Sequence, residues 1–398
     1  MSKIENIRTI LISGKYGTKD HPEILECFPN GPKRSIGIIE VTLENGIKGY
    51  GEGYLAVFAP KVFESIVNLC IPYMIGKDGF DIIKRVSDLC SVCDYWSLQG
   101  AARHVISAFD IALTDAKSKS LECPAYDLLG NSEIDSIEVY GSGGICDTKE
   151  HFIEELEFLQ SLGIKKYKIR ALKEDIYKTS WVLNEAKKFD IQVGIDMCQN
   201  LADPPQKTED VMHYIKEIKK HTNEKILFLE EAVGPSNPKG FKELRKKLDI
   251  PICGGEVITT TYEMLDRISE DIYDFVQPDA SVIGGMKAVI DIFTYSAKKG
   301  IETVVHAWGG PIAIMANYHC AFACNSNLVE YPMIPFEPEK DMFSDQRKIE
   351  NGRLLKPASF GIGITMDEQV EKKFKFDSTA VYSCLLTDRG QPQDDYWK

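Results

Sequence analysis

The chain has 398 residues, 43% of them hydrophobic, and a formal net charge of −13. That length suffices for a large core and two domains, while the acidic balance argues against a nucleic-acid backbone or an anionic membrane as partner. No apolar run approaches the ~20 residues of a membrane helix, MSKIENIRTI lacks a signal-peptide core, and the odd set of 11 cysteines predicts reduced thiols in a cytoplasmic protein.

Residues 1–130 read as an α+β capping domain. IENIRTILIS is a first strand. SIGIIEVTLENGIKGYGEGY holds two more, joined by Asn45-Gly46, a strong two-residue hairpin signal. Helical spacing of apolar residues follows over 60–75, 79–95 and 98–120. Between the first two strands lies GKYGTKDHPEILECFPNGPKR, long for a hairpin loop and rich in Gly, Pro and charge. Such a loop is expected to set specificity, with Lys15, Tyr16, Lys19 and His21 in reach of a substrate. The competing view is a solvated surface loop.

From residue 131 to 335 strand-like and helical stretches alternate, which predicts a parallel sheet. Helices are expected near 149–162, 173–188, 207–220, 238–247, 260–269, 286–298 and 310–324, separating eight strands. Polar residues sit at the ends of the apolar runs. Lys168 and Arg170 close IKKYKIR, Asp196 closes IQVGID, Glu230 closes ILFLE, and Glu256 closes IPICGGE. Asp279 follows YDFVQP, His306 closes IETVVH, and Glu330 closes NLVE. Useful side chains gathered at strand C-termini predict a (β/α) barrel with its site at that rim. Residues 336–398 read as loop, turn and short strand returning to the cap, followed by a polar tail.

Asp196, Glu230 and Glu256 end three consecutive strands. Crowded without a cation they would repel and take up protons; a hard divalent ion with oxygen ligands resolves that, and Mg2+ suits it. Salt-bridged strand-end acids are the simpler explanation for any one of them, but not for three in series. Asp279 and His306 suggest a dyad in which the carboxylate fixes one imidazole nitrogen and raises the basicity of the other. A structural histidine is the alternative. Lys168 and Arg170, two apart, face one side and add positive charge there. Tyr54 and Trp308 are candidates for the substrate pocket, against plain packing. Gly141-Ser142-Gly143-Gly144 has the wrong spacing for a phosphate loop, and Cys90-x-x-Cys93 lacks the second half of a zinc site.

The series KYKIR, GID, LEE, GGE, QPDASVIGG, HAWGG and LVEYP resembles the mandelate racemase group of the enolase superfamily (mandelate racemase/muconate lactonizing enzyme-like). NGIKGYGEGY, DIALTDAKSKSLECPAYDLLG and GIGITMDE are similar to that group's cap. The resemblance implies a modified (β/α)7β TIM barrel with an N-terminal α+β capping domain completed by the C-terminal segment. It implies Mg2+-assisted removal of a proton α to a carboxylate, with Mn2+ as a substitute ion. Enolase-superfamily sites are the type case of a Lys or His base working with Mg2+ on an ene-diolate. By the same resemblance Asp196, Glu230 and Glu256 are the metal ligands and Asp279 and His306 the dyad. Glu330 is the acid near the enolate oxygen, Lys168 sits near the substrate carboxylate, and Arg170 stands where racemases keep a second base. A homo-oligomer, dimer or octamer, is also implied.

Two departures stand out. The usual Asp-x-Asn is Asp196-Met197-Cys198, with Gln199 or Asn200 as candidate replacements for the amide. Arg170 is the larger one, because a guanidinium is a poor base. One base fits β-elimination better than racemisation, so the expected activity is dehydration of a sugar acid to a 2-keto-3-deoxy acid. A racemase or epimerase, a sugar-lactone cycloisomerase, and a non-catalytic binding scaffold are the alternatives.

Overall fold

The computed structural model describes residues 1–17, 33–145, 148–343, 347–380 and 394–398. His21 and Lys19 lie outside the described residues.

The cap begins with three antiparallel strands in the order β1 (Ile4–Lys15), β2 (Lys33–Leu43) and β3 (Lys48–Gly53). The β2–β3 turn is the expected Asn45-Gly46 hairpin. Gly46 takes φ 79° and the Asn45 side chain accepts the Ile47 N–H at 3.1 Å. Helices Pro60–Met74, Ile82–Ser97 and Ala101–Ser120 follow, close to the predicted spans. The last packs directly on β3, and alternate glycines make this possible. A Cβ at Gly51 would lie 1.8 Å from the Ala108 carbonyl oxygen, and one at Gly49 would lie 2.1 Å from that of Ala112.

Among the described residues eight parallel strands form the second unit: β4 (Ser136–Ser142), β5 (Lys166–Arg170), β6 (Gln192–Asp196), β7 (Ile226–Glu230), β8 (Ile252–Gly254), β9 (Phe275–Val276), β10 (Glu302–Thr303) and β11 (Leu328–Pro332). Each pairs with its successor from β4 to β10, and β11 pairs with β4. Helices fall between consecutive strands at the seven expected places, so the architecture is the modified (β/α)7β barrel. Tyr140, Phe228, Cys253 and Val304 fill the barrel interior below the rim.

The β10–β11 seam differs from a regular barrel, because no ladder joins these strands among the described residues. Side chains satisfy the seam instead. The Ala307 N–H donates to Glu330 Oε2 at 2.9 Å, and the Tyr318 hydroxyl donates to the Glu330 carbonyl at 2.9 Å. The ladder strands β8, β9 and β10 are also shorter than their apolar runs. Glu256, Asp279 and His306 therefore stand two or three residues beyond the last paired residue. Glu330, expected at a strand end, sits in the middle of β11.

After β11 the chain forms β12 (Ile349–Glu350) and β13 (Arg353–Leu355), and β13 pairs antiparallel with the start of β4. It then crosses to the cap. The Ile362 N–H donates to Asp115 Oδ1 at 2.9 Å, Arg8 pairs with Glu371, and the Ser13 N–H reaches the Phe374 carbonyl at 3.1 Å. Cap acids also close the N-termini of two barrel helices. Asp110 accepts the Met286 N–H at 2.6 Å, and Glu52 accepts those of Gly310 at 2.7 Å and Ala313 at 3.1 Å. No described helix is long and apolar enough to cross a membrane.

Candidate active site

Strand register brings the polar series together. In β5, Lys168 points into the barrel and is fully buried. Its Nζ bonds Glu230 Oε1, lies 2.8 Å from Glu330 Oε1, and approaches Asp196 Oδ2 at 4.0 Å. Burial alone would lower its pKa, but Glu230 and Glu330 outweigh that and hold the ammonium well above the ordinary lysine range. Arg170, one turn of the strand pleat further, places Nε 3.8 Å from Asp196 Oδ2 and donates from Nη1 to the Gly143 carbonyl at 2.6 Å. Its guanidinium stacks on Trp308, 4.4 Å from the ring centroid.

The acids follow on the next three strands. Asp196 Oδ1 accepts the Cys198 N–H at 2.8 Å, with Cys198 in the left-handed region at φ 50°. Glu230 Oε2 accepts from Gln277 Nε2 at 2.6 Å. Glu256 Oε1 accepts from Asn200 Nδ2 at 2.5 Å. Asn200 thus supplies the amide that Cys198 cannot, while Gln199 turns away to the Met197 carbonyl and the Gln206 N–H.

Asp279 and His306 form the expected pair, with His306 Nδ1 2.8 Å from Asp279 Oδ2. The other carboxylate oxygen of Asp279 takes the Ser281 N–H, the Ser281 hydroxyl and the Asn317 amide at 2.7, 2.7 and 2.9 Å. Such a lattice fixes the carboxylate, which in turn fixes the imidazole tautomer and its direction. His306 Nε2 faces Glu256 Oε2 at 3.4 Å. Burial opposes its protonation, but Glu256 and Asp279 prevail and hold the pKa up at about 10.

Glu330, read as the acid near the enolate oxygen or else as a salt-bridged acid, lies beside Lys168 and the chain after β10. Oε1 pairs with Lys168 and Oε2 accepts the Ala307 N–H. Burial would raise its pKa, yet the Lys168 and His306 cations overcome this and hold it well below the usual carboxylate range.

Divalent-metal chemistry fits the donor set. Burial, then repulsion from Asp196, Glu330 and Glu256, pushes Glu230 up, and burial likewise pushes Glu256 up. Glu231 Oε2, Gln277 Oε1 and the Tyr140 hydroxyl are buried nearby without hydrogen-bond partners. Acid outnumbers cation here, and buried oxygen atoms remain to be satisfied. Among the described residues no three acids, cysteines or histidines share one ready metal position. The reason is visible in the contacts: Glu230 leans to Lys168, Asp196 lies between Lys168 and Arg170, and Glu256 lies between Asn200 and His306.

Of the pocket candidates, Tyr54 and Trp308 join the site and Tyr16 borders it. The Tyr54 ring meets His306 edge-on with centroids 6.4 Å apart. Tyr16 is buried, hydrogen-bonds Trp308 and pairs its backbone with Phe336. Lys15 does not join. Its side chain is exposed, and its backbone is tied to Glu337 by bonds of 2.9 and 3.1 Å. Sequence reasoning missed Gln277, Asn317 and Glu52. Gln277 stood beside Asp279 in QPDASVIGG and was the one legible signal.

Comparison with known proteins agrees with this fold. Residues 151–370 match the enolase C-terminal domain-like family, and residues 26–130 match the mandelate racemase/muconate lactonizing enzyme N-terminal domain. An arabinonate dehydratase of Saccharolobus solfataricus is 25% identical over 85% of this chain and 90% of that protein. An L-talarate/galactarate dehydratase of Salmonella typhimurium is 27% identical over 85% of this chain and 82% of that one. The crystal structure of the 3,6-anhydro-D-galactonate cycloisomerase from Zobellia galactanivorans superposes with a TM-score of 0.80 at 27% identity, covering 94% of this chain and 100% of that one. The chain belongs to the mandelate racemase/muconate lactonizing enzyme group of the enolase superfamily.

Proposed function

We propose that this protein is a Mg2+-dependent acid-sugar dehydratase that converts a sugar acid to a 2-keto-3-deoxy acid. One observation carries the choice of reaction. Among the described residues the rim holds a single dyad, His306–Asp279, while the two groups on β5 are tied as cations: Lys168 to Glu230 and Glu330, and Arg170 to Trp308 and the Gly143 carbonyl. Racemisation needs a base on each face of the α-carbon, whereas elimination needs one.

In this reading Asp196, Glu230 and Glu256 hold the ion. When bound, Mg2+ would neutralise those acids, draw charge from the substrate carboxylate and relieve His306 of the Glu256 field. His306 Nε2 takes the C2 proton, with Asp279 holding the ring and stabilising the imidazolium. Lys168 and Arg170 place positive charge where the carboxylate oxygens become more negative. The electron pair returns to form C2=C3, the C3–O bond breaks, and the hydroxyl leaves as water with the proton that His306 gained. The resulting enol tautomerises to the 2-keto acid.

The two dehydratase relatives, both named for sugar acids, support this substrate class. A second reading rests on the cycloisomerase structure at 27% identity. Product mass separates them, because dehydration loses water and cycloisomerisation does not. The test is a panel of acid sugars with Mg2+, assayed for 2-keto acid, with His306→Asn as control. Keto-acid formation that survives in this variant would remove His306 from its role.

A further inference from the structure

His306 opens a loop, residues 306–310, that leads into the helix Pro311–Ala323. The barrel holds the near end of this loop. The His306 N–H donates to the Pro278 carbonyl at 3.1 Å, and the Ala307 N–H donates to Glu330 Oε2 at 2.9 Å. At the far end the helix opens on Gly310, which has no side chain to close its first turn. Gly309 beside it takes φ 134°, a conformation that glycine enters at little steric cost and that makes a joint in the loop.

The cap domain supplies what Gly310 lacks. Glu52 on β3 is fully buried, and its two carboxylate oxygens take the N–H groups of Gly310 at 2.7 Å and Ala313 at 3.1 Å. The approach leaves no room for the helix to cap itself, because a Cβ at Gly310 would lie 2.6 Å from Glu52 Oε2. The loop that carries Asp279 is held from the same side. Tyr54, next but one after Glu52, donates its N–H to the Ser281 carbonyl at 3.3 Å, and Ser281 binds Asp279 Oδ1 through its own N–H and hydroxyl. On the helix Ala101–Ser120, Ser107 Oγ accepts the Gly284 N–H at 2.8 Å. One short run of the cap, Glu52 to Tyr54, therefore touches both loops whose side chains meet as the dyad.

We infer that Glu52 is a positioning residue for the dyad: by fixing Gly310 against β3 it sets the path of residues 306–310 and so the approach of His306 Nδ1 to Asp279. It touches neither the reacting atoms nor a metal ligand. A misplacement of about 1 Å at a reacting group costs on the order of 100-fold in rate, so an anchor at the far end of the loop has leverage on the chemistry. The dyad is then in register only when cap and barrel are docked. The inference rests on the reading of His306 as the base and adds the group that aims it.

A spectroscopic readout tests this without turnover. The chain has seven histidines, so selective 15N-histidine labelling resolves the His306 Nδ1–H that Asp279 holds, assigned by its loss in His306→Asn. Mg2+-loaded protein is expected to show this signal far downfield. Glu52→Ala should lose it, and so should Glu52→Asp, which keeps the charge but not the reach. Glu52→Gln, which keeps the reach and an acceptor for Gly310, should retain it. Asp115→Asn is the control for general loosening, since Asp115 holds the Tyr50 and Ile362 N–H groups at 2.9 Å but neither dyad loop; it should retain the signal. In parallel, Glu52→Ala should slow α-proton exchange of an acid sugar by roughly 10- to 100-fold, with KM and Mn2+ affinity within a few-fold of the parent. If Glu52→Ala does not fold, the comparison of Glu52→Asp with Glu52→Gln decides. An unchanged signal in Glu52→Ala or Glu52→Asp, an equal loss in Asp115→Asn, or no such signal in the parent overturns the inference. A signal that depends on Glu52 in a protein that forms no keto acid would leave Glu52 in its role and remove dehydration.

Discussion

Lys168 Nζ and Glu330 Oε1 lie 2.8 Å apart, joining β5 to β11 across the strand between them, and both side chains are buried. The same ammonium bonds Glu230. One cation therefore neutralises acids from two strands in a place without solvent. Removing one partner of such a group leaves uncompensated buried charge. Lys168→Met is expected to destabilise the metal-free protein by about 3–5 kcal/mol. Urea unfolding with and without Mg2+ checks it, and added Mg2+ should recover part of the loss through its affinity for the native acids.

Asn200 donates to Glu256 Oε1 at 2.5 Å, and Asn200→Leu removes that donor without touching a proposed ligand directly. Outer partners of metal-binding carboxylates set their orientation. The expected loss is about 10- to 100-fold in Mg2+ or Mn2+ affinity. Mn2+ titration of the purified variant measures it, and unchanged affinity would remove Glu256 or its orientation from the metal site.

Asp279→Asn keeps the shape of the dyad but withdraws the charge that holds His306 Nδ1. Exchange of the substrate α-proton with solvent is expected to slow by about 10²–10⁴-fold, with substrate affinity little changed. Nuclear magnetic resonance of the substrate in D2O reads the exchange directly.

Glu52 gives a pH dependence with a definite sign. Its ordinary value is 4.5, and burial, against the Gly310 and Ala313 N–H donors, pushes it up to about 7 in the fold. Between those values the native protein holds a proton that the unfolded chain has released. The contribution is complete below about 4.5 and is lost as pH rises through about 7. Asp110, also raised to about 7 by burial, acts in the same direction. Glu52→Gln should flatten the decline. Unfolding free energies at pH 5 and pH 7.5 should differ more in the parent than in the variant, by up to about 3 kcal/mol.

Much of this site was legible because β/α alternation puts each strand's last polar residue on one rim. Asp196, Glu230, Glu256, Asp279 and His306 needed only that rule. The cap hairpin was equally plain from Asn45-Gly46. What stayed hidden depends on tertiary placement. Asn200 looked like one of two amides after Asp196, and only the left-handed turn at Cys198 decides which one reaches Glu256. Glu330 read as a lone acid, since nothing local tells that Lys168 and the Ala307 N–H would meet it. Lys15 is the converse. It had the right charge in the right loop, yet strand register turns its side chain to solvent.

In the proposed reaction one base, His306, acts alone on the α-carbon. The most direct measurement is the fate of an acid sugar incubated with the Mg2+-loaded enzyme in D2O. The expected product is a 2-keto-3-deoxy acid formed with loss of water, with none from His306→Asn. Recovery of the C2 epimer carrying solvent deuterium, with no keto acid, would contradict it and show a second base opposite His306.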